Sequence, residues 1–136
     1  MVHSKVVTSA AESGDALMDR DLSILAFNER VLDWAQRAEV PLLERLRYLC
    51  IVSSNLDEFF EVRAEPHVMG SLQGLKSGPY THKTLAAIAE KTRAMVARQY
   101  ALYNDDLLPK LQHKGYRILS HGERNAEQRQ WVRSYF

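Results

Sequence analysis

Apolar residues recur along this chain at intervals of three and four, the spacing that lines one face of an α-helix. The first such stripe is Ile24, Phe27, Val31, Trp34 and Ala38. Ser23 stands just ahead of it with a hydroxyl suited to an N-cap, and Pro41 lies past its end. A second helix is predicted from Pro41, because the fixed φ of proline suits a first turn. Its stripe is Leu42, Leu46 and Leu49, with Leu43 and Cys50 beside it and Glu44, Arg45 and Arg47 on the other, solvated side. Leu56, Phe59, Phe60 and Val62 supply a third helical segment. Pro66 is expected to interrupt it, since proline lacks the N–H that a helix interior requires.

Gly70, Gly74, Gly78 and Pro79 then mark a loop. A long helix follows, with Leu85, Ile88, Thr92, Met95, Gln99 and Leu102 on one face. Pro109 is expected to kink or restart it, and Gly115 to cap its C-terminus. Tyr116 to Leu119 leaves room for no more than a short strand. Another helical pattern begins at Asn125 and gathers Trp131, Val132, Tyr135 and Phe136. Large apolar patches of this kind mark partner surfaces, so the chain reads as a piece of a longer protein, cut as a second domain begins. The reading is an all-α, antiparallel helical bundle with one long helix. It comprises a loose tail over 1–18, a helical domain over 19–115 and the start of a further domain over 116–136.

Composition adds mainly exclusions. With 136 residues and 46% hydrophobic content, one domain can bury a real core. Eighteen basic against seventeen acidic side chains leave a net charge of +1, which argues against bulk capture of nucleic acid. Cys50 is the only cysteine, so no disulfide framework is expected, and its apolar run from Tyr48 to Val52 suggests a small buried hydrophobe. No signal-peptide core and no run of membrane-spanning length occurs, and the reading is cytoplasmic. His3, His67, His82, His113 and His121 show no metal-ligand spacing. Phosphate-cradling glycine loops and nucleophile elbows are also missing, so no catalytic residue and no metal ligand is assigned.

The segment Ser53-Ser54-Asn55-Leu56-Asp57-Glu58-Phe59-Phe60 carries the most specific chemistry. Ser54 and Asp57 have capping-box spacing, and Asp57, Glu58 and Glu61 would complement the positive end of a helix dipole. Asn55 then falls near a helix N-terminus with two roles open to it. It can be a second capping residue, or its amide can meet a nucleotide. The neighbouring acids would favour a base or sugar contact over a phosphate contact. Arg20, Arg30, Arg45 and Arg47 read as solvated faces, with Glu44 at helical spacing from Arg47. Arg63 stands apart, on the turn after Phe59 and Phe60. Phe27, Trp34, Phe59 and Phe60 are expected in the core.

Two blocks resemble the amino-terminal domain of bacterial polyphosphate kinase, of the type that makes long polyphosphate from ATP. One runs Asp19-Arg20-Asp21-Leu22-Ser23-Ile24-Leu25-Ala26-Phe27-Asn28-Glu29-Arg30-Val31-Leu32. The other joins Pro41-Leu42-Leu43-Glu44-Arg45-Leu46-Arg47-Tyr48-Leu49 to Ser53-Ser54-Asn55-Leu56-Asp57-Glu58-Phe59-Phe60-Glu61-Val62-Arg63. Ile24 stands where the family has tryptophan and Asp21 where it has glutamate. Ala64-Glu65-Pro66 breaks into a helix that often continues in relatives.

The resemblance implies reversible transfer of the terminal phosphate of ATP to polyphosphate through a phosphohistidine. It places the histidine nucleophile and the magnesium ligands in later domains, outside this chain, so this piece alone would be inactive. ATP or ADP is the implied substrate, and Asn55 matches the asparagine that contacts it. The family is homo-oligomeric as the full-length protein, cytoplasmic, with membrane association admitted for the whole enzyme. The rival reading is a helical interaction module that docks through Trp131, Tyr135 and Phe136 and binds no nucleotide. A nucleic-acid binder is disfavoured by the charge balance.

Overall fold

Three helical rods, each running opposite to its chain neighbour, form the core of the computed structural model, which describes residues 9–136 and side chains from Arg20 onward. The first rod is α1, Ser9–Gln36. The second joins α2, Leu42–Phe59, through a π-helical turn at Phe60–Ala64 to α3, Glu65–Leu72. The third joins α4, His82–Ala101, through a π-helical turn at Leu102–Leu107 to α5, Leu108–His113. A short helix α6, Ala126–Tyr135, follows. Bonds from Arg63 to Asp21, from Asn28 to Val52 and from Arg45 to Ala35 show the second rod descending along the first. Lys91 meets Glu29 and Arg98 meets Asp33, so the third rod ascends beside it. The all-α expectation holds. Among the described residues there is no strand, and Tyr116 to Leu119 is irregular.

The inward face of α1 is not the predicted stripe. Buried positions are Asp21, Leu25, Asn28, Leu32 and Ala35, one residue along from Ile24, Phe27, Val31 and Trp34. Phe27 is 55% exposed and Trp34 46%. Both sets have the same three-and-four spacing, and apolarity alone chose the wrong one. The true face includes two polar side chains that find their bonds inside the protein. The same lesson recurs on α2, whose buried face is Arg45, Leu49, Val52, Leu56 and Phe59. Arg45, expected in solvent, is 3% exposed; Cys50 and Phe60, expected in the core, are exposed. On the third rod the predicted Ile88, Thr92, Met95 and Leu102 are buried as expected, and Leu85 and Gln99 are half-buried. Thr92 satisfies its hydroxyl by donating to the Ile88 carbonyl at 2.9 Å.

Helix boundaries corrected several sequence expectations. Helix α1 already runs from Ser9, so Ser23 is mid-helix and caps nothing. Residues 9–18 carry helical backbone where a loose tail was expected, and residues 1–8 lie outside the described residues. Helix α2 passes unbroken through Ser53, Ser54 and Asn55, so the capping box at Ser54 and Asp57 does not exist. Pro66 does not end its rod, and Pro109 restarts the helix as expected. Each follows a π turn and occupies the first turn of the next α-helix. A π turn closes i→i+5 bonds, which shifts the ladder by a residue where the proline ring and missing N–H would otherwise collide with it.

Gly70 belongs to α3 rather than to a loop, and it is buried against the start of the third rod. A Cβ there would lie 2.2 Å from the Tyr80 carbonyl oxygen. Gly115 ends α5 as predicted, with φ of 85° and bonds from its N–H to Gln112 and from Tyr116 to Leu111. Helix α6 begins where the pattern predicts, with Asn125 capping it in a reciprocal box with Gln128. No residue of α6 is buried, and Trp131 stacks on Tyr135 with ring centroids 5.3 Å apart.

Candidate functional site

Asn55 lies mid-helix, on the flank of α2 that faces α1. Its backbone is committed to the helix, so both the capping role and the dipole argument against phosphate fall away. What holds it is a second amide. Asn28, 2% exposed, donates through Nδ2 to the Val52 carbonyl at 3.1 Å and contacts Met95 Sδ at 3.3 Å. Its Oδ1 accepts from Asn55 Nδ2 at 3.1 Å. Asn28 thus ties all three rods together and orients the half-buried Asn55. Among the described residues Asn55 makes this one side-chain bond, and it lines an open pocket.

That pocket, about 280 Å³, lies between the first two rods. Ile24, Leu25, Phe27, Phe59 and Val62 make it largely apolar, and Asn28, Asn55, Glu58 and Arg63 supply its polar groups. Arg63 enters because of the π turn. Phe59, Arg63 and His67 are spaced by four and four, which would drift off one face of a 3.6-residue helix. The extra residue closed by the π turn holds them on the α1 side.

Asp21 of α1 receives this face. Its Oδ1 accepts from an Arg63 guanidinium nitrogen at 2.9 Å, and its Oδ2 lies 2.8 Å from His67 Nε2. His67 is fully buried with its ring edge-on to Tyr80, and its Nδ1 has no partner among the described residues. Sequence reading singled out Arg63 but missed Asp21 and His67 as its partners. Their contact spans 46 residues of sequence, and no local spacing signals it.

The predicted acids do not gather. Glu58 lines the Asn55 pocket, whereas Asp57 faces a different groove of about 390 Å³ between α2 and α4, floored by Leu49, Leu56 and Tyr103. Among the described residues no cluster of three His, Cys, Asp or Glu side chains could hold a metal. The other buried charge is structural. Arg45 donates to the Ala35 carbonyl at 2.8 Å and to Asp106 at 2.6 Å, and Lys110 sits 2.5 Å from the same carboxylate. Lys110 first, then Arg45, hold the Asp106 carboxyl below its ordinary value. The Asn55 pocket therefore offers recognition: an amide edge, a guanidinium and apolar walls, with the Glu58 carboxylate at its rim.

Comparison with known proteins matches residues 17–119 to the family described as polyphosphate kinase N-terminal domain. Polyphosphate kinase of Neisseria meningitidis serogroup B is 43% identical to this chain over 124 residues. That of Neisseria gonorrhoeae is 40% identical over 124 residues, and that of Burkholderia cenocepacia 40% over 128. Each alignment covers 88% of this chain but 18% of the relative, so the chain spans under a fifth of the length of these curated proteins. No solved structure matches.

Proposed function

The chain belongs to the polyphosphate kinase N-terminal domain family, and from that premise we propose that it is the amino-terminal helical unit of a polyphosphate kinase, presenting Asn55 to the nucleotide. The whole enzyme transfers the terminal phosphoryl group of ATP to polyphosphate, reversibly. The observation that carries the reading is the Asn28–Asn55 amide pair at the wall of an apolar pocket. Asn28 fixes the orientation of Asn55, so a free carbonyl oxygen and N–H stand ready for a base edge or a ribose hydroxyl.

Nothing more is required of this unit. Phosphoryl transfer depends mainly on positioning and on stabilising charge around the phosphate. A histidine nucleophile splits the transfer into two steps, and that histidine and the magnesium ligands belong to the remainder of the enzyme. The unit's own residues bind and orient, and its apolar pocket walls exclude water from one side of the nucleotide.

In the complete enzyme, Asn55→Ala should raise the apparent KM for ATP by about tenfold, one hydrogen bond's worth, with kcat nearly unchanged. An unchanged KM would leave only a packing role. A second reading has its own support, because Trp131, Tyr135 and Phe136 are 63%, 70% and 96% exposed. This aromatic face suits packing against the rest of the enzyme. A module that docks there without meeting nucleotide is what remains if the Asn55 variant is kinetically silent.

A further inference from the structure

We infer that Arg63 is a second ligand-binding group of the Asn55 pocket, taking phosphoryl oxygens, and that Asp21 and His67 are the positioning residues that aim it. The inference deepens the nucleotide reading above and rests on it. Among the described residues Arg63 is the only cation that lines the pocket. Its partners are deeply buried while it is not: Asp21 and His67 side chains are 8% and 0% exposed, that of Arg63 31%. One guanidinium nitrogen is held by Asp21, and the others take no partner among the described residues. A guanidinium with a free edge fits a phosphoryl group through two parallel hydrogen bonds.

The clamp is built rather than incidental. Asp21 uses both oxygens, one on Arg63 and one on His67, so neither the carboxylate nor the guanidinium can swing freely. The His67 ring is in turn packed edge-on against Tyr80. Among the described residues Glu58 is the one opposing charge lining the pocket, and it is exposed, where water screens it. Asn55 and Arg63 are eight residues apart on one rod, about 12 Å along its axis at 1.5 Å per residue. That separation suits a single ligand with a heterocycle at one end and phosphates at the other.

The test uses the complete enzyme, with Asn55→Ala, Arg63→Gln, Arg63→Lys and Asp21→Asn assayed side by side. Arg63→Gln should raise the apparent KM for ATP by about tenfold or more, the loss of a charge-assisted hydrogen bond. Arg63→Lys keeps a cation for Asp21, and so the fold, but cannot form the two-pronged contact; it should raise KM with an unchanged melting midpoint. Asp21→Asn should raise KM by a smaller factor while kcat holds. Should the Arg63 variants instead raise KM for polyphosphate in the reverse direction at saturating ADP, the phosphoryl group bound is the polymer's, and the contact stands. Normal KM values for both substrates in Arg63→Lys, beside a raised KM in Asn55→Ala, would overturn this inference alone. Normal values in all four variants would overturn the nucleotide reading with it.

Discussion

Asn28 and Arg45 are buried polar side chains whose removal should cost more than their size suggests. Asn28 serves Val52, Met95 and Asn55 at once, so Asn28→Ala leaves a carbonyl and an amide short of partners as well as a cavity. Thermal denaturation should show a loss of about 2–3 kcal/mol. Because Asn28 orients Asn55, the KM effects of Asn28→Ala and Asn55→Ala should fall short of additive in the double variant. Arg45→Ala abandons the Ala35 carbonyl and Asp106, and denaturant titration should show a loss of about 3 kcal/mol. Asp106 gives a sign that can be checked. Its folded pKa lies below the ordinary 3.8, so its ion pairs contribute stability above that pH. The contribution drains away as pH falls from 3.8 through the folded value. The melting midpoint of Asp106→Asn should therefore fall less steeply on acidification than that of the parent chain.

Among the elements, the interrupted rods are the informative ones. Two prolines that ought to stop helices are absorbed by π turns, and each turn shifts which side chains face inward. The first carries Arg63, which with His67 four residues on meets Asp21 across the bundle. The junction of α3 with α4 is equally exacting. Gly70→Ala would drive a methyl group into the Tyr80 backbone, 2.2 Å away, and should destabilise the fold by about 3 kcal/mol in a thermal melt. Gly115→Ala meets no atom within 4 Å but has φ of 85°, so its cost should be only about 1–2 kcal/mol. Melting both variants ranks close contact against backbone strain. An equal loss in the two would mean that the Gly70 contact relaxes.

At the scale of the molecule, the bundle and the segment that follows it differ in kind. The rods share one core from Leu25 to Leu107, whereas α6 buries nothing and shows its aromatic side chains to solvent. Trp131→Ala should therefore shift the stability of this chain by less than about 0.5 kcal/mol, measured by circular dichroism melting. The near-neutral balance of eighteen basic and seventeen acidic residues is also instructive. Under the proposed reading, an anionic ligand would be met by the placed Arg63 guanidinium rather than by a general positive field.

The sequence by itself determined the helical class, the helix starts at Pro41 and Asn125, the end at Gly115 and the inward face of α4. Those features depend on local spacing and on the conformational limits of proline and glycine. It also carried the family, through the irregular run from Ser53 to Arg63. Only the tertiary structure decided which of two equally periodic stripes on α1 is buried, because the answer lay with polar residues satisfied across the bundle. The same is true of Arg45, whose partners sit on two other rods, and of Asn55, whose orientation comes from Asn28. The Arg63–Asp21–His67 clamp completes the pattern: charged groups enter the core where long-range partners meet them, and no local rule of spacing can report a partner 46 residues away.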